Sequence, residues 1–256
     1  MRADVPCRYS GSGLKRDDEA MLYSHRMLDV GKIKAISLDL DDTLWPIWPV
    51  IERAEKALHD WLTVHAPMAA ALFSSPSALR EIRDYMAVSK PELKHDMSAL
   101  RRESIRLALY RAGENPLMAD TAFEVFFAER QNVTLFDDAR PSLEFLAARF
   151  PLVSVSNGNA DLERIGLAPL FKAAISAREF GVGKPDPRIF HAAAGAVDVM
   201  PEDVLHVGDD ATLDALGALN AGMQAAWVNR GDHMWPHEME PQVTVTTLSE
   251  LCDLFR

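Results

Sequence analysis

The chain has 256 residues, 48% of them hydrophobic and 25% charged, with a formal net charge of −11. That much apolar material supports one large domain, or a core domain with a smaller partner, and excludes global disorder. An acidic chain with no long Lys/Arg cluster also argues against nucleic acid or an anionic membrane as the main partner.

Residues 1–26 are polar and aperiodic, with no apolar segment of signal-peptide length, so 1–31 is expected to be a flexible tail. No run approaches the roughly 18 apolar residues of a membrane span. Cys7 and Cys252 lie near opposite ends and form neither a disulfide framework nor a zinc spacing. A reducing compartment suits this usage, and a cytoplasmic protein is expected.

Lys32–Leu40 reads as a first strand, with Ile33, Ala35, Ile36, Leu38 and Leu40 available for burial. From Pro46 to about Asn132 the period becomes helical, as in Val50, Ala54, Leu58 and Leu62. Ser75 before Pro76 and Asp96 before Met97 are N-cap signals, and Gly113 is a stop. After about Val133, strands and helices alternate. The helix Pro141–Phe150 leads to the strand "PLVSVSN", then come a strand near Ala174–Ser176 and a helix from Pro187 to Val197. The strand "DVLHVGDD", a helix after it and the strand "MQAAWVN" follow, and Thr247 with Glu250 forms a capping box. The expected architecture is α/β: a doubly wound, mainly parallel sheet built from 32–46 and 133–256. A helical cap, 47–132, is inserted after its first strand.

Ligands of such sheets bind beyond the carboxyl ends of the strands. The residues expected there are Asp39, Asp41 and Thr43; Ser156, Asn157 and Gly158; Lys184 in "GVGKPDP"; and Asp209, Asp210 and Asp214. Mg²⁺ prefers oxygen ligands and often takes one or two carboxylates plus phosphate oxygens, so Asp39, Asp209 and the Asp41 carbonyl form a candidate metal set. A carboxylate also attacks phosphorus, and the second carboxyl, Asp41, is then free to serve as acid and base. Ser156 and Lys184 suit the equatorial oxygens. The reading is of a small phosphorylated substrate, with Mg²⁺ as cofactor.

In this arrangement the chain resembles the haloacid dehalogenase superfamily over about 33–230. "DLDDTL", "VSVSNGN", "GKPDPRIF" and "HVGDDATLD" match its four motifs in order. The resemblance implies Asp39 as nucleophile, Asp41 as acid/base, Ser156 and Lys184 as phosphate ligands, Asp209 as metal ligand and Asp214 as a supporting acid. It also implies a Rossmann-like core with a C1-type helical cap. "DLDDTLW", "NGNADLERIGL" and the cap segment "KPELKHDMSALRRESI" are most similar to the bacterial FMN-phosphatase-like branch. The 2-haloacid dehalogenases carry a bulky aromatic where this chain has Asp41. The resemblance therefore implies a phosphatase, with a phosphomutase, a dehalogenase or a catalytically idle binding protein as alternatives.

Further residues have open roles. Asp42 is expected to face solvent, and Asp210 either approaches metal-bound water or caps the next helix. Trp45 and Trp48 either line a substrate entrance, where a flavin or base could stack, or pack cap against core. Arg101 and Arg102 are expected on a solvated helix face. His206 reads as a packed strand residue, and His233 and His237 as an unsuitable metal pair because Pro236 lies between them.

Overall fold

The computed structural model describes residues 27–256. Most of the expected tail, and Cys7, fall outside that range.

Six strands form one sheet: β1 (Ala35–Leu38), β2 (Leu152–Ser156), β3 (Ala173–Ser176), β4 (Val204–Gly208), β5 (Gln224–Val228) and β6 (Val243–Val245). Their order is β3-β2-β1-β4-β5-β6, and every neighbouring pair is parallel. Parallel strands covered on both faces carry continuous apolar sequence, and β1, β2 and β4 are buried at every position. From β1 the chain first builds one side of the sheet and then returns to build the other. The reversal puts a topological switch point between β1 and β4, where their exit loops diverge and leave a crevice.

Alternating side chains feed two cores. Ile36, Leu38, Leu205 and Val207 join Leu143, Leu146 and Leu248 on one face. Ala35, Val153, Val155 and Val204 join Phe190, Ala193 and Trp227 on the other. The insertion that follows β1 carries five α-helices: α1 (Ile47–His65), α2 (Pro67–Leu72), α3 (Pro76–Ser89), α4 (Met97–Arg111) and α5 (Ala119–Arg130). They enclose a third core of their own, in which Leu58, Leu62, Ile82, Ile105, Phe123 and Phe126 are buried. The cap signals hold locally: the Ser75 and Asp96 side chains accept from the N–H groups of Ala78 and Ala99.

Four details differ from expectation. Val30–Lys32 forms a 3₁₀ turn, so β1 begins at Ala35. The strand β6 was not anticipated; it is only three residues long and lies at the sheet edge. The helix after Asp210 opens as a π-helical stretch, Ala211–Leu216, before continuing over Gly217–Asn220.

The fourth is Arg101, which is buried rather than solvated, with 4% exposure. Its guanidinium lies over the Phe126 ring at 4.3 Å and donates to Glu55 at 3.3 Å. Glu55 is fully buried on α1 and also receives Arg80 at 2.7 Å. Burial lowers the Arg101 pKa to about 10 against the opposing pull of Glu55. Arg102, in contrast, stays at the surface with Asp120. Removing one partner of a buried pair strands the other charge. Glu55→Ala is therefore expected to lower the unfolding free energy by about 3–5 kcal/mol. Asp60→Ala, which breaks the exposed Lys56–Asp60 pair, should cost no more than about 0.5 kcal/mol. Urea titrations of the two variants check the contrast.

Candidate active site

The loop leaving β1 sets the first carboxylates. The Asp39 N–H still bonds to the Val207 carbonyl at 2.9 Å, so Asp39 is tied to β4 as the sheet ends. Asp42 then turns the chain with φ +58°, a left-handed conformation that aspartate tolerates. It is solvent-exposed as expected, but its carboxylate also accepts the Ile47 N–H at 2.9 Å, steering the chain into α1. Thr43 is fully buried; its hydroxyl donates to Asp209 at 3.1 Å, and its carbonyl accepts from Arg230 at 3.2 Å.

Lys184 occupies the centre. Its side chain is 3% exposed, and its ammonium donates to Asp39 and, at 2.5 Å, to Asp214. The loop that carries it is held from β2. Asn157 accepts the Lys184 N–H at 2.7 Å and donates to the Lys184 carbonyl at 2.9 Å. Asn157 thus braces the lysine. The hydroxyl of Ser156 accepts the Gly158 N–H at 3.0 Å.

Asp214 is buried beneath this pair. It accepts from Lys184, from the Asp210 N–H at 3.0 Å and from His206 Nε2 at 3.2 Å. Burial depresses the His206 pKa, and the ring lies between Asp214, at Nε2, and the Ser37 hydroxyl, 2.8 Å from Nδ1. Burial alone would raise Asp214, but Lys184 and His206 outweigh it and hold the carboxyl at about 2. Asp39 goes the other way: burial raises it well above the usual range despite Lys184, with Asp214 and Asp209 adding to the rise. Asp209 is pushed up to about 7 by burial and by the charge of Asp214.

Carboxylate oxygens of Asp39, Asp209 and Asp214 lie within 4.8 Å of one another. Those of Asp214 already serve Lys184, His206 and the Asp210 N–H. Asp39 and Asp209 are the better-placed pair; burial first, and then the neighbouring carboxylates, disfavour their charged forms, and a divalent cation would offset both effects. The residues present fit Mg²⁺. Asp210 is exposed and caps the following helix through the N–H groups of Thr212 and Leu213.

Trp45 lines no entrance. It is fully buried, and its indole N–H donates to Asp41 at 2.9 Å. Trp48 is 58% exposed with Arg80 over its ring at 5.0 Å. His233 and His237 are separately engaged, with the Asn229 backbone-bridging amide and with Thr212. A cavity of about 420 Å³ opens beside Ser156 and Gly158, bounded by Phe127, Asp161, Phe171 and Arg178.

Sequence reading missed Arg130, at the end of α5. It is 1% exposed and donates to both carboxylate oxygens of Asp41, at 2.6 and 2.8 Å. A signal existed: Phe123, Phe126 and Arg130 share one helical stripe, and a charge in an apolar stripe asks for a partner.

A buried lysine among carboxylates, at the switch point of a parallel sheet, marks the candidate active centre of an α/β enzyme. The model of the haloacid dehalogenase-like hydrolases matches residues 33–222, and the chain belongs to that family. It is 34% identical to the 5-amino-6-(5-phospho-D-ribitylamino)uracil phosphatase YigB of Escherichia coli, over 88% of this chain and 97% of that protein. It is 32% identical to the phosphoserine phosphatase of Thermus thermophilus, over 86% and 98%. Among solved structures, a 2-haloacid dehalogenase from Pseudomonas syringae pv. tomato is 40% identical with a TM-score of 0.80, covering 87% of this chain and 98% of that one.

The packing at the end of β4 yields a test. A Cβ on Gly208 would collide with the Asp214 side chain, which is fixed by three hydrogen-bond donors. Gly208→Ala is expected to destabilise the fold by at least about 1–3 kcal/mol, the cost of overpacking a rigid site. Thermal unfolding of the variant measures it.

Proposed function

We propose that the chain is a Mg²⁺-dependent phosphomonoesterase acting through an aspartyl-phosphate. One observation carries this reading: Asp39 shares its surroundings with Lys184 and Asp209, while a second carboxylate, Asp41, stands two residues away. An Asp39 oxygen attacks phosphorus and the bond to the leaving oxygen breaks. Asp41 supplies the proton that this oxygen needs. Water then attacks the phosphorus of the aspartyl-phosphate; Asp41 takes the water's proton, and Asp39 is released with inorganic phosphate.

Lys184 and Ser156 bind the phosphoryl oxygens, and Thr43, Asn157 and Gly158 complete the cradle. Asn157 acts by holding the lysine loop, and Gly158 by leaving room, since a Cβ there would lie 2.5 Å from Asp41. Asp39, Asp209 and the Asp41 carbonyl hold Mg²⁺, with Asp214 and Asp210 supporting. When bound, the ion neutralises charge on the transferring phosphoryl group. The helical insertion serves as a cap that excludes water and selects the leaving group.

The relatives bear on substrate class. One is named for a phosphorylated ribitylaminouracil and another for phosphoserine, both phosphate esters of a primary alcohol. Exposed Trp48 offers a face to a planar ring. The favoured class is a phosphorylated polyol bearing a heteroaromatic ring, FMN included.

The 40% identical structure named as a dehalogenase makes halide release the second reading. Asp41 weighs against it, because a departing halide takes no proton.

Wild-type protein is expected to hydrolyse p-nitrophenyl phosphate only with Mg²⁺, and Asp39→Asn to abolish turnover. Mg²⁺-independent chloride release from 2-chloropropionate, without phosphatase activity, would overturn the proposal. Asp41→Asn is expected to lose at least about a hundredfold in kcat on an alkyl phosphate. Near-normal turnover would remove Asp41 from its role. A panel of FMN, ribityl phosphates, sugar phosphates and phosphoserine is expected to rank the ring-bearing esters first by kcat/KM.

A further inference from the structure

Asp41 is held by two donors that no catalytic motif contains. Arg130 Nη2 spans both carboxylate oxygens, and Trp45 Nε1 donates to one of them at 2.9 Å. Asp41 itself remains about one-fifth exposed, while Arg130 is almost fully buried. Gly158 closes the third side: a Cβ there would press on Asp41 and come within 3.6 Å of Arg130. The carboxylate thus has one orientation available while these neighbours stay in place.

Burying Arg130 carries a cost. Its other terminal nitrogen, Nη1, is buried with no hydrogen-bond partner among the described residues. A buried unsatisfied donor costs about 1–3 kcal/mol, and a Met or Leu would continue the Phe123–Phe126 stripe without that cost. The neighbouring residue fixes where the guanidinium arrives. Gln131 donates to the Asn159 carbonyl at 3.2 Å and accepts the Asp161 N–H at 2.7 Å, pinning the end of α5 to the loop after β2. The last turn of the helical insertion is therefore anchored so that its arginine meets the β1 loop.

We infer that Arg130 is a positioning residue for Asp41, orienting the carboxyl that handles the leaving group's proton. Trp45 shares this task from the β1 side. The inference rests on the reading of Asp41 as acid and base given above, so the test separates the two.

First-turnover rates on the Mg²⁺-loaded enzyme are compared for two esters. An alkyl phosphate has a leaving oxygen that needs a proton, whereas p-nitrophenolate departs without one. The first turnover excludes the later water step. Arg130→Met is expected to lose at least about tenfold more on the alkyl ester than on p-nitrophenyl phosphate, with kcat affected more than KM. Arg130→Lys is expected to recover part of the difference, since it keeps a donor for the carboxylate. Trp45→Phe keeps the buried ring, removes the N–H and should show the same selectivity more weakly. It gives the answer if Arg130→Met does not fold. Asp41→Asn is the reference and must discriminate between the esters. If it does, and the Arg130 and Trp45 variants lose equally on both esters or on neither, the positioning role is overturned. If Asp41→Asn treats the esters alike, the acid role of Asp41 falls and this inference falls with it.

Discussion

The arrangement around Asp39 depends on one ammonium group. Lys184 is the cation that bonds to Asp39 and Asp214, and Asp209 lies within the same cluster. Three carboxylates cannot all stay ionised there without compensation. Lys184 compensates unevenly. Asp214, which also has His206 and a backbone N–H, is held ionised, while Asp39 and Asp209 are driven upward in pKa. The two groups whose ionised forms lack compensation therefore stand at the exits of β1 and β4. A parallel sheet with its switch point between those strands concentrates the demand for a cation there.

Positioning that ammonium takes much of the surrounding structure. Asn157 clamps both backbone groups of Lys184. Gly208 and Gly183 leave room for the Asp214 and Asn157 side chains, which a Cβ at either position would strike. Ser37 holds the His206 ring from within β1, and the Trp227 indole donates to the Asp209 carbonyl at 2.7 Å from β5. Four strands thus contribute to one charge cluster, and the sheet's hydrogen bonding sets their relative heights. The helical insertion enters through a separate contact, Arg130 on Asp41. Its own buried charge, Glu55, is paired within it by Arg101 and Arg80.

The sequence made much of this legible, and the limits have physical reasons. Asp39, Ser156, Lys184 and Asp209 follow strands whose apolar runs are unmistakable, so their place at the sheet edge follows from topology. Arg130 meets Asp41 across 89 residues of chain, a pairing that depends on how a helical insertion docks. Trp45 was visible but ambiguous, because an aromatic after an acidic loop serves an entrance or a core equally well. Arg101 was misjudged because its partner Glu55 lies 46 residues away on another helix. Strand β6 escaped because three residues at a sheet edge give too short an alternation to separate from a loop. Motif residues are legible because the backbone that places them is local. Buried ion pairs between elements are legible only as charges in the wrong stripe.

This distinction bears on how far similarity carries. The chain resembles proteins named for phosphate esters and others named as haloacid dehalogenases, at comparable identities. The fold alone does not separate them, and under the proposed mechanism a carboxylate attacking an electrophilic centre would serve either substrate. What separates them is the fate of the leaving group. An alkoxide is too basic to depart without a proton, while a halide departs as it is. The residues that decide the matter are therefore those that build a proton donor beside the nucleophile. On the proposed reading they are Asp41 together with the two donors bonded to it, Arg130 from the insertion and Trp45 from the β1 loop. Holding a carboxylate this closely has a structural cost: among the described residues Arg130 Nη1 has no hydrogen-bond partner, and a departing halide, which takes no proton, gives no reason to sustain that cost.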